Sequence, residues 1–325
     1  MKTRIVFAVL LVMGMLSPLA GADPNGIVAL VTDYGADSVY AGVLQGVIYD
    51  HFPDATVVSV THSVPAFDIV AGAHVVAEAA EMFPSGTVFC AVVDPGVGGE
   101  RRSIAVRTDN GSYLVGPDNG LLALAAEKLG FTEIRELTNG LYWRQNPPSS
   151  TFHGRDIYGP VAGHLAGGAL FADLGPIVDS LRELDFDEPE VEDDAIHGQV
   201  LRVDAYGNVI TTITREHLRE IGAQPRSDVS LAIEFNGESL EVPFGQTYSD
   251  VEIGEPVALV QSMGFLELAI NQGHFDEAHD VSAWDPVVVR VQEQRSDSPF
   301  EVERGDGETE ETEDTEPPSG FPWIE

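Results

Sequence analysis

The 325-residue chain is 43% hydrophobic, 8% aromatic and 22% charged, an ordinary globular composition that excludes wholesale disorder and a collagen-like chain. Its 53 acidic against 17 basic residues give a net charge of −36, a field that repels nucleic acid and anionic membrane. A single cysteine excludes a disulfide framework and a cysteine-based zinc site. Only two of the bases are lysine, Lys2 and Lys128, and such an acidic, lysine-poor surface stays hydrated in high salt. The acids are too dispersed for most of them to act as cation ligands.

Residues 1–22 read as a signal peptide. Lys2 and Arg4 form a positive n-region, 5–16 is uncharged and apolar, and Ala20-Gly21-Ala22 is a small-x-small cleavage site. The protein is therefore expected to be exported, and to have no membrane contact once the segment is cleaved. Gly14, Pro18 and the shortness of the run argue against an uncleaved anchor, and no later run approaches the length of a membrane span.

The length fits about two domains. The first is expected over 26–190. Residues 27–32 form an apolar run ending at Asp33, 39–52 has helical spacing, 56–60 is β-branched, and 69–82 is alanine-rich and helical. Residues 87–93 are another apolar strand, ending at Asp94. Strands alternating with helices predict a parallel-sheet α/β domain. Cys90, mid-strand, reads as a buried small hydrophobe. Residues 185–194 are acid-rich and aperiodic and read as a linker. The second domain, 196–291, has short β runs at 198–203, 209–213, 229–235, 257–259, 265–270 and 287–291, with one helical stretch near 215–221. It predicts a smaller all-β barrel or sandwich. From 292 to 325 the chain is acid-rich with Arg304 as a lone base between 297 and 316, and is expected to be a disordered tail.

Three acids stand at or near apolar strand ends: Asp33, Asp94 and Asp118. In an open α/β sheet the strand C-termini rim the ligand crevice, where a carboxylate binds a ribose diol or activates water. A turn alone explains one Asp before Gly; three on one edge favour a site. Gly96, Gly98 and Gly99 then let backbone approach a ligand, and Arg101 and Arg102 follow, either orienting Asp94 or making a surface ion pair. Phe152-His153-Gly154-Arg155-Asp156 gathers a His, an Arg and an Asp after the loop Asn146-Pro147-Pro148. His62 is a third candidate. No His-x-x-x-His or carboxylate–His spacing supports a metal site, and none is expected. In the β domain, 203–208 and 261–271 are polar turns in apolar flanks, read as hairpin chemistry or as a pocket edge for a base.

These runs resemble, in order and across both domains, the S-adenosyl-L-methionine (SAM) hydroxide adenosyltransferase family, related to SAM-dependent fluorinases and chlorinases. The matching runs are Thr32-Asp33-Tyr34-Gly35, Thr61-His62-Ser63-Val64-Pro65, Phe83-Pro84-x-Gly86-Thr87, Val92-Val93-Asp94-Pro95-Gly96-Val97-Gly98 and Gly116-Pro117-Asp118-Asn119-Gly120. Phe152-His153-Gly154-Arg155-Asp156, Asp204-x-Tyr206-Gly207-Asn208 and Ser262-x-Gly264-x-Leu266-Glu267-x-Ala269-x-Asn271 complete the series.

The resemblance implies hydrolysis of SAM to adenosine and L-methionine, with water attacking ribose C5′ and no cofactor. It implies that Asp94, Arg101 and His153 activate the water, and that Asp33 holds the ribose diol beside Phe67. Asp204 and Asn208 would bind the methionine end, Tyr248 would stack on adenine, and Ser262 would fall in the ligand region. It further implies a homotrimer with the site between subunits. The halogenating relatives carry a phenol at the place of Asp94 and lack the histidine, so Asp94 argues for hydroxide over halide. Thr211-Thr212-Ile213 and Met263 depart from the family pattern and bear on the base and methionine pockets. The competing expectation is an exported SAM- or adenosine-binding protein with little turnover.

Overall fold

The computed structural model describes residues 23–226 and 229–293. The signal peptide expected at 1–22 and the tail from 294 onward lie outside the described residues.

β1 (Ile27–Thr32), α1 (Val39–His51), β2 (Thr56–Thr61), α2 (Ile69–Met82) and β3 (Val88–Val92) follow the expected alternation. The helices start where polar side chains satisfy their free N–H groups. Ser38 accepts from the Tyr40 N–H, and Asp68 accepts from the Ala71 N–H at 2.8 Å. Then come β4 (Ser103–Thr108), β5 (Tyr113–Pro117), α3 (Ala123–Leu129), β6 (Phe131–Glu136), a π-helical turn over Gly154–Tyr158 and α4 (Gly159–Ala166). The sheet order is β2-β1-β3-β5-β4-β6. β2, β1, β3 and β5 are parallel, whereas β4 runs antiparallel to β5 and to β6. The sheet is therefore mixed at one side, because a tight 109–112 turn joins β4 directly to β5 without a crossover helix.

Alternate residues of β1 serve opposite layers. Val28 and Leu30 pack with Leu44, Ile48 and Val161 under α1 and α4, while Ala29 and Val31 pack with Val76, Ala77 and Ala126 under α2 and α3. Cys90 is wholly buried in the first layer, and burial pushes its thiol up to about 12, as suits a small core hydrophobe.

The second domain holds β7 (Glu190–Glu192), β8 (Ala195–Val203), β9 (Val209–Thr214), α5 (Arg215–Glu220), β10 (Val229–Phe235), β11 (Glu238–Pro243), β12 (Pro256–Val260), β13 (Phe265–Ile270), α6 (Phe275–His279) and β14 (Pro286–Glu293). Its strands run in the order β11-β10-β14-β8-β9-β13-β12, with antiparallel pairing throughout. A single bridge between Phe244 and Ala258, parallel unlike the strand pairs, joins the two ends, so the sheet nearly closes on itself around Ile196, Leu231, Phe244, Leu266 and Val289. Several boundaries differ from the sequence reading: β8 begins at Ala195 rather than 198, and β11 falls where no strand is expected. The acid-rich stretch 185–194 contains β7, which pairs with β8, and β14 runs to Glu293 rather than ending at 291.

The domains are pinned to each other. Arg202 on β8 makes a two-pronged ion pair with Glu78 on α2, both contacts 3.1 Å, and the Trp284 indole N–H donates to the N-cap Asp68 at 2.9 Å. Beside them His74 is buried edge-on between Phe186 and Phe265, with ring centroids 5.7 and 5.5 Å away. Its Nε2 has no hydrogen-bond partner. Burial, then the nearby Arg202 and Lys128, lowers its pKa from 6.5 to about 4. The unfolded chain therefore binds a proton there before the folded one does, so stability is complete above pH 6.5 and declines as pH falls from 6.5 toward 4. The loss attributable to this group is expected to reach about 3 kcal/mol. Thermal melts between pH 7 and 4 should show it, and His74→Phe should flatten that slope.

Candidate functional site

The site lies where β1 and β3, adjacent and parallel, release their chains at the same edge of the sheet. Asp33 follows β1 and Asp94 follows β3. A cavity of about 540 Å³ opens there, lined by Asp33, Tyr34, Phe67, Asp94, His153 and Arg155 among others.

Asp94 and Arg101 form the charged centre. The guanidinium Nε–H donates to Asp94 Oδ1 at 2.8 Å, and Nη2 pairs with Oδ2. Both side chains are largely buried. The same Nη2 also donates to His153 Nδ1 at 2.9 Å, so one nitrogen bridges carboxylate and imidazole. The His153 Nδ1 must therefore be unprotonated, and a neutral ring carries its proton on Nε2. Burial, then the Arg101 cation, lowers the His153 pKa, outweighing the opposite pull of Asp94 and Asp156. Desolvation is the largest single influence on Arg101 and works against its charge, but the hydrogen bond and charge of Asp94 together with Tyr158 outweigh it and the pKa is raised. Near neutral pH the set is one carboxylate, one guanidinium and one neutral imidazole.

Two glycines let the three loops meet. Gly98 sits at φ 75° with its α-carbon against the Ser150 carbonyl, so the Asp94 loop lies directly on the His153 loop. Gly154 faces the Tyr34 hydroxyl, and a methyl there would overlap it. The 145–149 segment is held by Asp156, fully buried and paired with both prongs of Arg155 at 2.7 and 2.9 Å. Asp156 also accepts from the Ser149 N–H at 2.8 Å and from the Gln145 amide at 3.1 Å. Burial would raise its pKa, yet Arg155 and the Ser149 N–H hold it below the ordinary carboxylate value.

Asp33 and Phe67 are joined by a hydrogen bond from the Phe67 N–H to Asp33 Oδ2 of 3.0 Å. Phe67 takes a left-handed φ of 70° and the residue is 70% exposed at the mouth, a strained placement for a bulky residue that fits a ligand-facing aromatic. The opposite wall is aromatic. Tyr34, Tyr40 and Phe152 pack edge-to-face at centroid distances of 5.2 to 6.1 Å. Tyr40, at the start of α1, escaped the sequence reading because it reads as an ordinary amphipathic helix position. Tyr34 and Phe152 lie in the motifs that carry Asp33 and His153, whose polar residues draw attention away from the aromatic neighbours.

Other candidates fall elsewhere. Asp118 shares the strand-end edge, but it accepts from Arg102 Nε and from the Arg182 N–H, both at 2.7 Å, and lies outside the cavity. It fastens the 180–182 segment. His62 is buried with its two ring nitrogens on Thr32 Oγ1 (2.8 Å) and Ser59 Oγ (2.9 Å), a structural bridge between β1 and β2.

Asp204, Asn208 and Tyr248 line a second cavity, of about 550 Å³, on the β domain, and it shares no lining residue with the first. Asp204 Oδ1 accepts from the Tyr206 and Asn208 N–H groups at 2.8 and 3.0 Å, and Asn208 Nδ2 donates to Oδ2 at 3.1 Å. The Tyr248 hydroxyl donates to the buried Glu267 at 2.7 Å, and burial followed by that carboxylate raises the Tyr248 pKa. Ser262 lies exposed on the β12–β13 turn, outside both cavities. Among the described residues no group of three or more His, Cys, Asp and Glu side chains is placed to hold a metal ion.

Residues 28–175 match the SAM hydroxide adenosyltransferase N-terminal domain, and 198–288 match its C-terminal domain. An (R)-S-adenosyl-L-methionine hydrolase of Salinispora tropica is 39% identical over 253 residues, 77% of this chain and 92% of the relative. A fluorinase of an Actinoplanes species is 27% identical over 277 residues, covering 77% of this chain and 92% of the relative. The crystal structure of a conserved protein from Thermotoga maritima superposes with a TM-score of 0.76 at 35% identity, covering 81% of this chain and 99% of that one.

The contact between the Gly98 and His153 loops makes a direct prediction. Gly98→Ala should push the loops apart and strain the backbone, lowering the melting temperature modestly, with a cost of about 1–3 kcal/mol. It should widen the Asp94–His153 separation, visible in a crystal structure of the variant.

Proposed function

The chain belongs to the SAM hydroxide adenosyltransferase family, and on that premise we propose that it hydrolyses SAM to adenosine and L-methionine. The observation that carries the reading is the single guanidinium nitrogen joining Asp94 to His153 at the cavity wall. Relatives named as hydrolases support it at higher identity than those named fluorinases.

Water in the cavity donates a hydrogen bond to the Asp94 carboxylate and attacks ribose C5′ opposite the sulfonium. The C5′–O bond forms as the C5′–S bond breaks, and sulfur leaves with the electron pair as the neutral thioether of methionine. The attacking water becomes strongly acidic as its oxygen bonds to carbon, so the carboxylate suffices as proton acceptor. His153 Nδ1 is occupied by Arg101, so the imidazole serves as an Nε2–H donor that orients the water rather than as the first base. A carboxylate at this place repels halide, which favours water as the nucleophile. Asp33 receives the ribose diol and Phe67 packs on the sugar or base.

The β-domain cavity contributes the rest of the pocket. Asp204 and Asn208 hold the methionine end and Tyr248 faces the adenine. Because the two cavities share no wall, we assign the complete site to neighbouring subunits of a homotrimer, each supplying one half.

Asp94→Asn should keep the Arg101 contact at one oxygen but remove the proton acceptor. Its kcat is expected to fall about 10²–10⁴-fold, with adenosine and methionine resolved by chromatography as the readout. Wild-type protein that leaves SAM intact while folded would refute the reading. The shared site makes a second test. Asp94→Asn and Asp204→Ala proteins, each inactive, should regain roughly a quarter of wild-type activity when unfolded and refolded as a mixture. No recovery would refute the shared site.

A further inference from the structure

Arg101 is held from a side that the water-activating set does not use. Its Nη1 donates to Ser103 Oγ at 3.1 Å, and Ser103 Oγ lies 3.1 Å from the Tyr158 hydroxyl. Ser103 is the first residue of β4, anchored on both flanks: it pairs with Pro117 of β5, and its carbonyl accepts from the Leu137 N–H at 2.8 Å. Tyr158 ends the π-helical turn that begins just after His153 and is fully buried. Its ring lies 5.7 Å from the Arg101 guanidinium carbon and 6.4 Å from the His153 ring. Burial, then the Asp94 charge, raises the Tyr158 pKa, so it remains a neutral phenol.

We propose that Ser103 and Tyr158 are positioning residues that lock Arg101 in the one rotation where Nη2 bridges Asp94 and His153. The Asp94 contacts alone do not do this. A carboxylate facing Nε and Nη2 fixes the fork, but a modest swing of the guanidinium plane keeps that pair and breaks the bond to His153. The Nη1–Ser103 bond on the opposite side forbids the swing. The hydroxyl pair satisfies that bond internally, with each oxygen able to donate or accept, so no water needs to enter beneath the site. The chain links a strand start to the loop carrying the histidine, and so couples the two walls of the cavity. The inference rests on the hydrolase reading for its kinetic consequence and not for its structural one.

The test compares Ser103→Ala, Ser103→Thr and Tyr158→Phe in the full-length protein, by steady-state kinetics on SAM and by NMR titration of His153. The groups around that imidazole are Arg101 and Asp94 from the β3–β4 loop, Arg155, Asp156 and Tyr158 from the π-helical turn, and Asp33 and Tyr34 from the β1–α1 loop. Ser103→Ala and Tyr158→Phe should lower kcat roughly tenfold with KM within about twofold, the signature of lost positioning rather than lost binding. The His153 midpoint should rise toward its ordinary value as the Arg101 cation swings away. The 15N shifts should show the Nε2–H tautomer losing dominance. Ser103→Thr, which restores a hydroxyl, should recover both readouts. Tyr158→Phe keeps the buried ring, so a folding defect in one variant leaves the other informative. A wild-type kcat and an unmoved His153 in Ser103→Ala would overturn the proposal, and so would a kcat loss with His153 unmoved or without rescue by Thr. If wild-type protein left SAM intact, the hydrolase reading would fall while the titration still decided the positioning role.

Discussion

One buried guanidinium organises the cavity edge of the sheet. A charge taken out of water is costly unless its donors are matched, and Arg101 places four of its five N–H groups across three elements: a carboxylate after β3, a hydroxyl at the start of β4 and an imidazole before α4. That demand explains why the Gly-rich 96–99 loop must be compact and why Gly98 has no room for a side chain. In a chain with 53 acids and 17 bases, cations are scarce, and the described arginines sit mainly where a carboxylate would otherwise be stranded. Arg102 serves Asp118, Arg155 serves Asp156, and Arg202 serves Glu78.

The neighbouring pair Arg101 and Arg102 shows why chemistry cannot be assigned from strand ends alone. Consecutive in sequence, they each reach an aspartate released by a parallel strand. One pair faces a cavity and keeps a histidine in contact; the other closes over the 180–182 backbone. The sequence pattern is the same in both. What separates them is the segment that packs above, and that segment comes from dozens of residues away.

The elements legible in the sequence were those with a local signature. β1, α1, β2, α2 and β3 appear within a residue or two of expectation, because apolar runs, alanine-rich periodicity and Pro-Gly stops are local. β4, β5 and β6 were not read out, because a mixed sheet edge has no periodicity distinct from a loop until its partners are known. β7 hid in an acid-rich stretch, being an edge strand whose outward residues are Glu190 and Glu192. Within the site, Asp33, Asp94, Arg101 and His153 were legible through their loops. Ser103 and Tyr158 were not, since their significance rests on contacts spanning 2 and 55 residues that no motif announces. His62 and Asp118 looked equally functional and are structural, their polar atoms already spent on the fold.

The electrostatics of the proposed reaction follow from the same accounting of charge. SAM enters with a sulfonium and an ammonium, and the strongly negative protein draws it in. Each arginine beside the cavity has its own carboxylate, Asp94 for Arg101 and Asp156 for Arg155, so the sulfonium meets no uncompensated cation. Aromatic faces from Tyr34, Tyr40 and Phe152 border the same space and tolerate a cation that carries no hydrogen-bond donor. Attack at C5′ turns the sulfonium into a neutral thioether. The attraction that aided entry weakens at the reacting centre in the same step, and the product is held less firmly than the substrate. With each arginine neutralised by a carboxylate, the acidic cavity thus binds the cation and releases what remains after the charge is gone, which eases product release and leaves the rate itself to the positioned water and its carboxylate.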